Sequence, residues 1–124
     1  MHGFLKKAQD NLTLAKYCLE NGYYDASANR AYYAAFQSAI AALSAQGITN
    51  DKYEHKWVQA NFNRALIRHR KIYPSRISST LLDMLFIRNR ADYLDEPLNK
   101  RRATSQLAQA EDFVGLILME LNLS

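Results

Sequence analysis

The chain has 124 residues, of which 48% are hydrophobic and 23% charged, and its formal net charge is +4. This length suits one domain with one core and is too short for two, while the apolar fraction excludes a wholly disordered chain. The single cysteine, Cys18, excludes an intramolecular disulfide and favours a reducing compartment. We therefore expect one globular domain over residues 1–124, located in the cytoplasm.

The excess of positive charge is concentrated in residues 52–76, called the basic segment below. It contains seven basic residues against one acidic residue, Glu54, and so carries +6, whereas residues 1–51 are neutral and residues 103–124 carry −3. Such a segment is typical either of a surface that meets a polyanion or of a solvated helix face. The charge pattern alone favours the solvated face.

Two helices are predicted in the first part of the chain. Apolar residues spaced three and four apart predict a helix over Phe4–Glu20, which Gly22 would end because glycine adopts the left-handed cap conformation. A second helix is predicted over Ala26–Ala45, with Asp25 as its N-cap. Residues 31–50 carry no charge, but polar residues interrupt them, so they predict a central buried helix followed by a loop and not a membrane span.

Three further helices are predicted over Glu54–His69, Ser75–Tyr93 and Lys100–Leu121, the first two separated by Pro74. No segment shows the alternation of apolar and polar residues that is typical of strands. The sequence therefore predicts an all-α bundle.

Arg88 does not fit the apolar pattern of its helix, since it continues the row of Leu81 and Leu85 at i, i+4 spacing. Two explanations remain open. The stem can pack while the guanidinium reaches water, or the cation can point into an interface or cleft. Periodicity alone favours the first explanation.

Familiar site motifs are absent from the sequence, which has no glycine-rich phosphate loop, no Cys/His metal cluster and no nucleophile elbow. Asp51 and His55 are four residues apart, but this pair indicates the start of a helix more than a metal site. We expect no metal and no cofactor. A face formed by Asn29, Arg30 and Tyr32 among small residues can line a pocket, although a packing seam between helices explains it as well.

The sequence DASANRAYYAAF (25–36) resembles the signature of HEPN (higher eukaryotes and prokaryotes nucleotide-binding) domains. The similar branch contains stand-alone prokaryotic proteins with an Arg-x-x-Ala-Asp-Tyr element, which is RNRADY here (88–93). Lys52–His55 occupies the place of a Lys-x-His loop with one extra residue, and Ala110–Val114 is similar to the last helix of the family. The resemblance extends from about Leu5 to Leu121.

This resemblance implies an up-and-down bundle of four long helices plus a shorter one, and a homodimer. Many HEPN domains are metal-independent endoribonucleases in which an Arg-polar-x(3–5)-His motif from each protomer meets at the dimer interface. Others are encoded beside a minimal nucleotidyltransferase in toxin–antitoxin or defence modules, where the transferase can modify a tyrosine near the motif.

Arg88 and Asn89 match the Arg-polar pair, but Tyr93 stands where the histidine is expected. Because tyrosine has a reference pKa of about 10, it exchanges protons poorly near neutral pH. The resemblance therefore favours binding of nucleotide or RNA at a dimer cleft over cleavage. It implies the catalytic-motif positions Arg88, Asn89 and Tyr93, and it implies a binding set of five residues: Arg30, Tyr32, Arg88, Arg90 and Asp92.

Two alternatives remain open. One is a ribonuclease toxin that uses Arg88 with Tyr93, helped by His55 or His69. The other is a structural adaptor without nucleic-acid contact. The sequence from Arg64 to His69 also fits an Arg-x4-His spacing, but it lies on the third helix and its arginine is followed by Ala65, so it is not expected to be the motif.

Overall fold

The computed structural model describes residues 2–123, with side chains from residue 3 to residue 122. Within these residues the chain forms helices and connecting turns and no strand, which confirms the predicted all-α bundle. The elements are α1 (His2–Glu20), α2 (Tyr24–Ala45), α3 (His55–Asn61) continued by a π-helical segment (Phe62–His69), a 3₁₀ turn (Ser75–Ile77), α4 (Thr80–Tyr93) and α5 (Lys100–Leu123).

Helix α2 lies at the centre of the bundle and packs against α1, α4 and α5. Its alanines let the neighbouring helices approach closely, and Ala31, Ala35 and Ala39 are completely buried. Larger side chains on the same helix, among them Ile40 and Leu43, fill the core. The prediction that the charge-poor helix is the central and most buried one is confirmed.

The start of α2 differs from the prediction. The helix begins at Tyr24, and Tyr23 is the N-cap residue, without a side-chain cap. Asp25 is therefore not the N-cap. Its carboxylate lies in the first turn, where the helix dipole favours an anion, and accepts a hydrogen bond of 2.8 Å from the backbone N–H of Leu98 before α5. Gly22 ends α1 with a φ of 80°, as predicted.

The third and fourth helices are less regular than predicted. The third changes from α-helical to π-helical geometry at Phe62 and ends with the N–H of Arg70 bonded to the carbonyl of Ala65, five residues earlier. The predicted continuous helix from Ser75 is wrong, because only a 3₁₀ turn forms there and α4 begins at Thr80. Ile77 in that turn is nevertheless buried, so the apolar pattern identified a core position correctly.

The uncharged stretch 31–50 forms most of α2 and the loop that follows it. Across the described part of the chain, no helix combines the length and apolar character needed to cross a bilayer.

Candidate functional site

Arg88 lies on the face of α4 that packs toward α2, with its side chain 16% exposed. Its Nη2 donates a hydrogen bond of 3.1 Å to the Tyr33 hydroxyl, and its Nε lies 3.0 Å from Oδ2 of Asp92. Its Nη1 donates a bond of 3.2 Å to Oδ1 of Asn89. The guanidinium is therefore held by three groups while part of it still faces solvent.

Tyr33 connects Arg88 to a second arginine. The Cζ atoms of Arg88 and Arg30 lie 5.4 and 5.3 Å from the centroid of the Tyr33 ring, within the range of cation–π attraction. The three-residue spacing of Arg30 and Tyr33 on one helix is a signal for this contact, although no functional role was predicted for Tyr33. The structure adds it to the candidate site.

Asn29 joins the two ends of this arrangement. Its Oδ1 accepts a hydrogen bond of 3.0 Å from Nε of Arg30, while its Nδ2 donates one of 3.0 Å to Asp92. Asn29, Arg30, Tyr33, Arg88 and Asp92 thus form one connected group, called the Arg88 cluster below. Two guanidinium groups against one carboxylate give this cluster a formal charge of +1.

Tyr32 lies beneath the cluster and not on its surface. Its side chain is completely buried, so the expectation that Tyr32 lines a binding pocket is wrong. Its hydroxyl lies 2.6 Å from Nδ1 of His55, which places that imidazole beside the cluster, 6.4 Å from the Tyr33 ring between centroids. Burial raises the pKa of Tyr32, which therefore stays protonated across the physiological range.

His55 is half-buried, and no hydrogen bond to its Nε2 is found among the described residues. Burial lowers the pKa of His55, and the positive charge of Arg88 lowers it further. The imidazole is therefore neutral at neutral pH. The structure thus brings to Arg88 a histidine that comes from the start of α3 and not from the Arg88–Tyr93 element.

The other residues of the Arg88–Tyr93 element lie on different faces of α4 or at its end. Asn89 is exposed and contacts Arg88, but Arg90 is about 200° around α4 from Arg88. Arg90 packs on the Phe86 ring, with its Cζ 5.9 Å from the centroid, and lines a separate cavity of about 220 Å³ with Arg102. Tyr93 is 74% exposed at the end of α4. The predicted catalytic and binding residues therefore do not form one site.

Helix α4 also presents apolar side chains to solvent on a different face from Arg88, since Phe86 is about 200° around the helix from Arg88. Leu82 and Phe86 are 60% and 61% exposed and lie one turn apart. Together with Leu85 and Asn89 they line a depression of about 380 Å³.

The arginines that the basic segment contributes to the π-helical segment have no contact with the cluster, although His55 of the basic segment lies beside it. Arg64, Arg68 and His69 of the π-helical segment are exposed, and none of them has a contact with the Arg88 cluster. The Arg-x4-His spacing on the third helix therefore does not form part of this site. In the described residues there is also no group of three metal-binding side chains.

Comparison with known protein families identifies the family to which the chain belongs. A model of the HEPN domain matches residues 1–121, almost the whole chain. No curated protein matches the chain. The match covers both the α2 segment and the α4 element from which the Arg88 cluster is built, and the helical bundle agrees with it. The chain belongs to the HEPN domain family.

Proposed function

We propose that this HEPN protein binds the phosphate groups of nucleotide or RNA at the Arg88 cluster, as a homodimer in a nucleotidyltransferase-linked toxin–antitoxin or defence module. The observation that carries the proposal is the guanidinium of Arg88, which is oriented by Tyr33 and Asp92 and remains partly exposed. A half-buried guanidinium fixed in this way loses little conformational entropy when it binds a phosphate.

The charge of the cluster supports an anionic ligand. The carboxylate of Asp92 balances only one of the two guanidinium groups, so one positive charge remains in a partly desolvated environment. A phosphate there would make charge-assisted hydrogen bonds in a dielectric lower than that of bulk water.

The apolar surface of α4 supports dimer formation. Leu82 and Phe86 are large and exposed, and adjacent exposed apolar side chains mark interaction surfaces. Asn89 lines the depression on this face and contacts Arg88, so pairing of the face with the same face of a second copy would place each Arg88 near the edge of the interface. Phe86→Glu tests this step, because a charge on this face should convert the dimer into a monomer in sedimentation experiments. A variant with the same mass as wild type would contradict the step.

Tyr93 supports the link to a nucleotidyltransferase. Its exposed hydroxyl lies at the end of α4 and is accessible to a second enzyme. In such a transfer the Tyr93 oxygen attacks the α-phosphorus of a nucleoside triphosphate, pyrophosphate leaves, and the hydroxyl proton goes to solvent. An adjacent gene for a small nucleotidyltransferase supports this step, and transfer that persists in Tyr93→Phe contradicts it.

RNA binding is tested by fluorescence anisotropy with a labelled single-stranded oligoribonucleotide. We expect Arg88→Ala to weaken binding by about tenfold or more, since hydrogen bonds to charged groups contribute about 1.5–3 kcal/mol. The matched control is Arg68→Ala, an exposed arginine outside the cluster. Equal affinities for wild type and Arg88→Ala would overturn the proposal, and the absence of salt-dependent RNA binding would favour the structural adaptor.

Metal-independent cleavage of RNA is the second candidate function. One observation favours it, namely that the imidazole of His55 lies beside the Arg88 cluster even though the motif histidine is replaced by Tyr93. The same RNA is incubated with the protein in the presence of a chelator. Cleavage that is lost in both Arg88→Ala and His55→Gln would establish this candidate, whereas intact RNA that remains bound supports the binding function.

A further inference from the structure

We propose that Arg88 and His55 form one phosphate-binding pair, in which the imidazole gives the second hydrogen bond to the group held by Arg88, and that Tyr32 is the positioning residue of this pair. The inference rests on the proposed function and deepens it. It adds a residue from the start of α3 to a site built on α2 and α4, and it makes ligand binding dependent on pH.

The first step is the placement of the two donors around one ring. Arg88 bonds to the Tyr33 hydroxyl, and the His55 ring lies 6.4 Å from the Tyr33 ring. Phe36 also packs against the imidazole, with ring centroids 4.9 Å apart. Both side chains are partly exposed, so each of them is accessible to an anion from solvent.

The second step is the orientation of the imidazole. The Tyr32 hydroxyl, which is completely buried, lies 2.6 Å from Nδ1 of His55. Because this hydroxyl stays protonated, it can donate to Nδ1 of the neutral ring, and the ring hydrogen is then carried by Nε2. Nε2, which bonds to no other described residue, becomes a donor to the phosphate.

The third step is the link between binding and protonation. The groups that face His55 are Tyr32 and Tyr33 from α2 and Arg88 from α4, with Gln59 of its own helix near Tyr32. The neighbouring Glu54 and Lys56 are exposed. Among the described residues, Arg88 is the only charged group that acts on His55 in this way, and it disfavours the imidazolium. A bound phosphate offsets that charge, so binding takes up a proton and the affinity rises as the pH falls.

The ligand that fits this pair is a phosphoryl group with at least two free oxygens, as in a phosphodiester or a terminal monophosphate. A guanidinium and an imidazole on adjacent sides hold two oxygens of one group. Inorganic phosphate is the minimal probe, and a single-stranded oligoribonucleotide is the probe for the diester.

The primary experiment is an NMR titration of His55 in the full chain, with and without inorganic phosphate. Without phosphate we expect a pKa below the ordinary value, and in Arg88→Gln we expect a higher one. Saturating phosphate is expected to raise the pKa by about one unit, which corresponds to a tenfold gain in affinity on protonation. The control is Arg88→Gln with phosphate, in which the pKa of His55 should rise less because the guanidinium that holds the phosphate is absent.

The second experiment measures RNA affinity between about pH 7.5 and about pH 5.5, a range above the ordinary carboxylate pKa values. Wild type should bind more tightly at the lower pH. His55→Gln should weaken binding at pH 7.5 by about two- to tenfold, because the second hydrogen bond to the phosphate is lost, and should also lose most of the pH dependence. His69→Gln should behave like wild type. In Tyr32→Phe the nitrogen chemical shifts of His55 should show a smaller fraction of the Nε2–H form.

The two proposals fail in different ways. If Arg88→Ala abolishes RNA binding but His55→Gln retains the full pH dependence, the pair is wrong and the proposed function stands. If no RNA binds but phosphate still raises the pKa of His55, the pair is right and RNA is not the ligand. If phosphate does not change the pKa of His55, the proposed Arg88–His55 pair is wrong, whatever the result of the RNA-binding experiments.

Discussion

The basic segment and the Arg88 cluster are two positively charged regions that differ in their net charge and in how firmly their side chains are held. The basic segment carries +6, but its arginines on the π-helical segment are exposed and are held at most by single surface contacts such as that from Arg64 to Asn61. The Arg88 cluster carries only +1, yet each of its charged groups has a partner at a defined distance. Arg76 of the basic segment is also held, by two hydrogen bonds to Asp112, but that pair joins one cation to one carboxylate and leaves no net charge. The arginines of the π-helical segment therefore combine charge with little preorganisation, whereas the Arg88 cluster combines a net charge of +1 with defined geometry.

The largest expected effect comes from removing Arg88 at high ionic strength. Surface charges are screened by salt, whereas a half-buried guanidinium is screened much less. The about tenfold loss expected for Arg88→Ala should therefore persist when the salt concentration is raised from about 50 mM to about 200 mM. Anisotropy titrations at both concentrations measure it. If the affinity loss of Arg88→Ala disappears at the higher salt concentration, Arg88 acts through screened long-range attraction, as the exposed arginines of the basic segment do.

The sequence predicted the helices and the position of Arg88 well, because both depend on local spacing. Apolar residues at i, i+3 and i+4 determine which face of α4 is buried, and Arg88 continues that face regardless of what packs against it. The same spacing explains why Arg90 lies apart from Arg88 in the structure, since residues two apart on a helix point in nearly opposite directions.

Tyr33 and His55 could not be assigned from spacing, because their roles depend on contacts between separate elements. Tyr33 belongs to the apolar row of α2, and only the packing of α4 shows that its hydroxyl meets Arg88. His55 is 33 residues before Arg88 in the chain and reaches the cluster through the loop that precedes α3. The burial of Tyr32 and the exposure of Tyr93 are likewise properties of the packed bundle.

The next effect in size concerns Tyr33, which both orients Arg88 and carries the ring between the two arginines. Tyr33→Leu removes the hydrogen-bond acceptor and the two cation–π contacts, which orient the arginines but do not themselves bind RNA. The lost orientation should cost about 1 kcal/mol of binding free energy, the size of one such contact. We expect RNA affinity to fall about fivefold. Tyr33→Phe keeps the ring and should lose about half of that free energy. If both variants bind like wild type, orientation of Arg88 by Tyr33 is unimportant.

A smaller effect is expected on the pH dependence of folding. Because the pKa of His55 in the folded state lies below its unfolded value, the unfolded chain binds the proton first as the pH falls. The stability that this group contributes is therefore present above the ordinary pKa of 6.5 and lost as the pH falls through the folded-state value. Urea unfolding at about pH 7.5 and about pH 5.5 should show a larger decrease for wild type than for His55→Gln. Arg88→Gln should also reduce the decrease, because the charge that disfavours the imidazolium is removed.

The smallest effect is expected in the basic segment, where single arginines act through long-range attraction. Arg68→Gln should weaken RNA binding about two- to threefold at low salt, in line with the modest free energies of exposed charges. For single-stranded RNA the slope of log affinity against log salt should become shallower by about 0.7 for each phosphate contact that is lost. Arg64→Gln is the matched variant on the same π-helical segment, and the double variant should add the two changes because each side chain acts independently. If either single variant loses as much RNA affinity as Arg88→Ala, the basic segment is itself the binding site. The preorganised contacts of the Arg88 cluster would then stabilise the fold and not bind RNA.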